Sequence, residues 1–209
     1  MLCYGEAPMT WFRTILFGVL AANLLPAMAA VAGDVGPYLV GRLLVATPKL
    51  GDPRFQETVI YMVQHNRDGA LGLVVNRSLG SGPLDKFLEG FGLETKGAEG
   101  SIRIHYGGPV SPGTGFVLHS PDYHVPDTTQ VPNGLAMTAQ LDVLKAISEG
   151  KGPRKSLFVL GYAGWGPGQL EGEIARDDWL SAPADDNLIF SDDLEGVWDK
   201  AMAKAGIVL

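Results

Sequence analysis

From Gly36 onward the apolar residues follow two rhythms, one of strands and one of helices. Short apolar, β-branched runs read as strands: "GRLLVATP", stopped by Pro48, then "TVIYMVQHN", "ALGLVVNR" and "SLFVLGYA". The second and third are joined through "RDG", where Asp68-Gly69 favours a tight reversal. Both are apolar on both faces, so the pattern predicts a hairpin buried on both sides. "SIRIHYGG" and "GTGFVLHS" read as a further strand pair around "PVSPG", followed by a loop rich in Asp, Pro and Thr from Ser120 to Asn133.

The helical rhythm marks four segments. "GPLDKFLEGFG" predicts a short helix with Pro83 in its first turn. In "TAQLDVLKAISEG", Leu141, Leu144 and Ile147 share a face, Thr138 is the expected N-cap and Gly150 the stop. "GQLEGEIARDDW" predicts a helix anchored by Leu170 and Ile174, four apart. In "SDDLEGVWDKAMAKAG", Ser191 is the expected cap, Asp192 and Asp193 favour the positive end of the helix dipole, and Gly206 closes the helix. Hairpins mixed with helices indicate an α+β fold, and no linker or repeat divides the segment, so one domain is expected over 37–209.

The first thirty residues have a different pattern. In "MTWFRTILFGVLAANLLPAMAA" a front carrying Arg13 precedes an apolar core from Ile15 to Leu25, then Pro26 and small residues. Ala27 and Ala29 form one A-x-A cleavage pattern, Ala30 and Ala32 a second. That order predicts a secretory signal over residues 1–29, with Met9 as an alternative start. The apolar core is short of the ~20 residues of a membrane-spanning helix, so no stable span is expected after cleavage. Cys3, the one cysteine, lies in this segment, and a mature chain would have no thiol or disulfide chemistry. The expected location is periplasmic or secreted.

Charge narrows the partners. The chain of 209 residues has a formal net charge of −7 and no basic cluster, so nucleic acid is not an expected partner.

The stretch with the strongest claim to chemistry is "GYAGWGPGQLEGEI", a strand entering a glycine-rich loop and leaving as a helix. It lacks the lysine and hydroxyl of a P-loop, and the G-x-G-x-x-G dinucleotide pattern is absent. Glu171 and Glu173 in the first helical turn complement the helix dipole and would repel a phosphate. The loop therefore reads as a tight reversal folding Trp165 over the sheet, with Gln169 solvated at the helix start. No serine stands in G-x-S-x-G. "HSPDYHVPD" gathers His119, Asp122, His124 and Asp127, but at no standard zinc spacing, and its prolines suggest a turn whose aspartates cap amides. No metal, cofactor or catalytic residue is assigned. The remaining ligand-binding candidates are the polar loop ends His65, Asn66, Trp165 and Gln169.

Four stretches, "ATPKLGDPRFQETV", "HNRDGALGLVVN", "GGPV" and "LGYAGWGPGQLEGEIARDDW", resemble the AlgH/YqgE family of small bacterial proteins. The resemblance runs from about Leu43 to Ile207. It implies a single domain whose mixed sheet is partly rolled into a barrel and flanked by helices. It implies no settled reaction; the family's name reflects a proposed regulatory role in alginate production, in places described as transcriptional. Members usually begin just before the first strand and are cytosolic, whereas this chain carries an export pattern. The expected function is a non-enzymatic interaction or regulatory module with an unidentified protein partner. The rival is a hydrolase or small-ligand-binding protein using the four polar loop ends; a transcriptional regulator is disfavoured by the charge.

Overall fold

The longest apolar runs form the centre of the sheet. In the computed structural model, which describes residues 38–93, 98–139 and 141–206, β2 (Val59–Asn66) and β3 (Gly69–Val74) form an antiparallel hairpin closed by the Asn66–Gly69 pair. As their composition predicts, both faces are covered. Val59, Tyr61, Val63 and Leu73 enter one core, and Ile60, Met62 and Val74 enter another. β1 (Arg42–Ala46) pairs with β2 and, on its other side, with β10 (Trp179–Pro183).

One strand joins the two halves of the sheet. β9 (Ser156–Trp165) pairs antiparallel with β3 near its end, and earlier lies between β5 (Ser101–Tyr106, parallel) and β6 (Val110–His119, antiparallel). β4 (Ser78–Pro83) borders β5, while β7 (Thr129–Gln130) and β8 (Ala136–Thr138) extend the sheet beyond β6. The result is one α+β domain with a mixed sheet curled into a partial barrel. Helices α4 (Asp186–Ile189) and α5 (Val197–Lys204) supply Leu188, Ile189, Ala201 and Met202 to the core on one face. The opposite face is covered by α3 (Gln169–Ala175) over one half, and by α1 (Leu84–Gly90) and α2 (Leu141–Ser148) over the other.

Several expectations change. β5 and β6 do not pair with each other, because β9 lies between them. The helix expected to run through "ARDDW" ends at Ala175, since Asp177 takes a left-handed φ of 60° and turns the chain so that Trp179 opens β10. Thr138 closes β8, and its Oγ1 bonds His119 and Thr128; the residue directly before α2 lies outside the described residues. Ser191 is not the cap of α5, which begins six residues later behind Gly196; the Ser191 hydroxyl donates to the Asp193 carbonyl instead. Pro83 ends β4 and precedes α1 rather than sitting inside it. Gly150 and Gly206 do close their helices, both at positive φ. The secretory signal expected over 1–29 lies outside the described residues.

Candidate functional site

Backbone contact explains the glycines of the β9 loop region. Gly107 and Gly108 lie directly against β9, and a Cβ on Gly108 would run into the backbone of Tyr162 and Ala163. Gly161, at φ 72°, would meet the Gly108 and Val110 carbonyls. Gly161 also resets the pleat. Leu157 and Val159 face the same core as Tyr162, so the residues before and after the glycine differ in parity. This places Trp165 on the face covered by α3. β2 has a similar irregularity between Met62 and Gln64, which moves His65 onto the face of Ala70 and Trp165.

α3 meets that face with both of its glutamates. The indole N–H groups of Trp165 and Trp179 each donate to Glu173 Oε2 at 2.8 Å. The rings stand edge to face, 6.0 Å apart, and are only 7% and 2% exposed. Gln169 is exposed but not idle: its Oε1 accepts from the Gly166 N–H and its Nε2 donates to Glu173 Oε1. The glycine loop thus satisfies itself, and Leu170 is buried beneath it. Glu171 takes the other side of the helix, where its Oε1 lies 3.0 Å from His65 Nε2. Its own backbone N–H, ahead of the bond from His65, holds the Glu171 carboxyl below its ordinary range.

His65 is buried and spent. Its Nδ1 accepts the Leu39 N–H, so the ring carries its proton on Nε2 and donates to Glu171. Tyr38 packs edge-on against the same ring. Asn66 serves the hairpin, its Oδ1 accepting the Asp68 N–H. Of the four sequence candidates, therefore, Trp165 and Gln169 border a common cleft while His65 and Asn66 do not line it.

That cleft has a volume of about 450 Å³. Trp165, Trp179 and Glu173 line it beneath a wall of Leu50, Gly51 and Phe55; Pro109, Val110 and Gly164 contribute small apolar surface. Arg54 and Arg176 also line it, paired with Asp52 and Asp178 at 2.6 and 2.9 Å. The Arg54 side chain lowers the pKa of Asp52 against the effect of burial. Glu173, Trp179, Arg54 and Arg176 are not among the site residues that the sequence singles out. The spacing of four between Gln169 and Glu173 hints at one contact, but reading Trp179 as helical hides the second indole.

The other histidines are held apart. His119 bonds the Ser120 carbonyl and Thr138 Oγ1, and burial lowers its pKa. Asp122 accepts from the backbone and side chain of Arg154. His124 lies 3.4 Å from Gln130 Nε2. Among the described residues no three His, Cys, Asp or Glu side chains gather as a metal site.

A single α+β domain whose curled sheet carries a glycine-crossed strand into a self-bonded helix start is the class this geometry defines. The chain belongs to the AlgH-like family, whose sequence profile matches residues 43–209. A UPF0301 protein of Methylococcus capsulatus is 54% identical over 169 residues, which is 81% of this chain and 92% of the relative. One from Afipia carboxidovorans is 44% identical over 193 residues, 88% of this chain and 91% of the relative. Among solved structures, the AlgH protein from Pseudomonas aeruginosa is 40% identical, with a TM-score of 0.70 over 85% of this chain and 94% of its own. A Corynebacterium diphtheriae protein shares the fold at 22% identity, with a TM-score of 0.60 over 78% of this chain and 85% of its own.

Proposed function

We propose that this protein is a non-catalytic interaction module acting outside the cytoplasm, and that the two-indole cleft receives a short segment of a partner protein. The bonding state of the cleft floor carries this reading. Glu173, both indoles and Gln169 are already engaged with one another. A general base or nucleophile needs a free, tuned group facing its substrate, and a closed network offers none. What the cleft offers a partner is shape, apolar wall and two largely exposed arginines, each of which can exchange its aspartate for a partner's carboxylate. An acidic, apolar segment fits these features best.

Export rests on the basic front, short apolar core and A-x-A patterns of the first thirty residues. A transcriptional role has no support from a chain of net charge −7. The test is a peptide-display screen followed by titration with charge-reversed variants. Arg54→Glu and Arg176→Glu are expected to weaken the selected acidic peptides about tenfold or more while leaving the melting temperature near wild type. Peptides that bind both variants as well as wild type would overturn the cleft assignment. N-terminal sequencing of the protein from its native host tests export. The expected mature start is Ala30, or Gly33 if the second A-x-A pattern is cleaved. An intact chain recovered from the soluble cytosol would overturn export.

A further inference from the structure

A second cavity lies on the far half of the sheet and shares no lining residue with the indole cleft. It measures about 330 Å³ and is bordered by β4, β5, the start of β9 and the Phe190–Asp192 turn after α4. Two residues apart on β5, Arg103 and His105 both line it. Its apolar wall includes Leu157, Phe158 and Phe190.

Here, in contrast to the floor of the indole cleft, a buried polar atom is left without a partner among the described residues. His105 is 1% exposed, and its Nδ1 has no hydrogen-bond partner among the described residues. The ring also interacts with the Val75 backbone in the sense that favours its protonated nitrogen, and with Nδ1 unpartnered this assigns the ring proton to Nε2. Burial, reinforced by the charge of Arg103, lowers the His105 pKa to about 4, so at neutral pH the ring is uncharged and Nδ1 is an acceptor awaiting a donor. Arg103 bonds only Asp192 among the described residues, at 3.3 Å to its carboxylate and 3.4 Å to its carbonyl, both through Nη1. The Asp192 side chain is 99% exposed, so water competes for this pair and Nη2 and Nε remain available. Ser81, Ser101 and Ser156 add hydroxyls around the cavity with no side-chain bond among the described residues.

A cationic fork beside a screened neutral acceptor selects a particular ligand chemistry. An ammonium would be repelled by Arg103, and a simple carboxylate would leave Nδ1 unpaired. We propose that this pocket binds a small carboxylate bearing a hydroxyl group, with the carboxylate on Arg103 and the hydroxyl donating to His105 Nδ1. The buried acceptor then discriminates, because a ligand without the hydroxyl leaves a desolvated polar atom unmatched.

The test uses the full chain, sodium glycerate as probe, and propionate and glycerol as controls lacking the hydroxyl and the carboxylate. Calorimetric titration at neutral pH is expected to show glycerate binding at least about tenfold tighter than either control. Arg103→Gln, at a partly exposed position, is expected to reduce glycerate affinity about tenfold without changing the melting temperature. In 15N spectra the His105 Nδ1 resonance should move upfield with glycerate and stay in place with propionate. His105→Gln, if it folds, should bind glycerate and propionate alike. No glycerate binding up to roughly 50 mM would overturn the proposal. So would equal affinity for all three probes, or an Nδ1 resonance already hydrogen-bonded in the free protein and unmoved by glycerate, which would identify a trapped water as the partner. These outcomes are independent of the indole cleft, whose arginines take no part.

Discussion

Glu173 holds more of the α3 region together than its place on a polar helix face suggests. One carboxylate oxygen receives two indole N–H groups, from strands far apart in the sheet order. Glu173→Ala strands both donors in a buried setting, at a cost of about 1–3 kcal/mol for each donor left unpaired. Glu173→Gln keeps an acceptor oxygen and should lose distinctly less. Urea denaturation of the pair checks this, and an alanine variant as stable as wild type would mean that water replaces the carboxylate. Trp165→Ala removes the ring itself and is expected to cost about 3–5 kcal/mol, measured the same way. His105 adds a pH dependence of definite sign. Its folded pKa, about 4, lies below the ordinary value of 6.5, so the unfolded chain binds the proton first as pH falls. The associated stability is complete above pH 6.5 and is lost as pH drops towards 4, by at most about 1.4 kcal/mol per pH unit. His119, shifted in the same direction by burial, adds to the slope. Stability measured at intervals across this window should fall with acid, and His105→Gln should flatten the curve.

At the scale of elements, the glycines divide into those that carry a crossing and those that only line a surface. A Cβ on Gly108 meets rigid backbone of β9 at φ 150°, so Gly108→Ala should destabilise by more than about 3 kcal/mol or prevent folding. Gly164 has no positive φ; its Cβ would meet the far edge of the Tyr162 ring at 3.0 Å, a side chain able to give way. Gly164→Ala is expected to stay within about 1 kcal/mol of wild type. Thermal melts of the two variants rank them directly, and the reverse order would mean that β9 rather than the Gly107–Gly108 segment yields at the crossing. Both strand irregularities, at Gly161 and between Met62 and Gln64, turn side chains towards α3. They set the address of His65 and Trp165, which simple alternation would have sent to the other face.

For the whole molecule, charge sets the expectation. With a formal charge of −7 and several of its arginines paired to aspartates, the protein should bind duplex DNA no more than weakly at low salt. Titration by fluorescence anisotropy decides this; tight, sequence-selective binding that weakens steeply with salt would reinstate a transcriptional role.

Local chemistry is enough to show the central hairpin, the helix stops at Gly150 and Gly206, and the α+β class, because continuous apolar runs and glycine turns act within a few residues. It also shows that the β9 loop is no phosphate cradle, since the lysine and hydroxyl that such chemistry requires are absent from the sequence itself. Strand order is not legible: nothing in "SIRIHYGG" or "GTGFVLHS" reveals that β9, far along the chain, inserts between them. β4 escapes a reading by pattern because its glycines and serines carry no apolar alternation. Which polar residues meet was decided by the tertiary structure alone. Pleat resets at two positions brought His65 to Glu171 and Trp165 to Glu173, and a left-handed turn at Asp177 delivered Trp179 to the same carboxylate. Such contacts depend on parity and crossing geometry summed over distant strands, and a one-residue shift in either reverses the face on which a side chain falls.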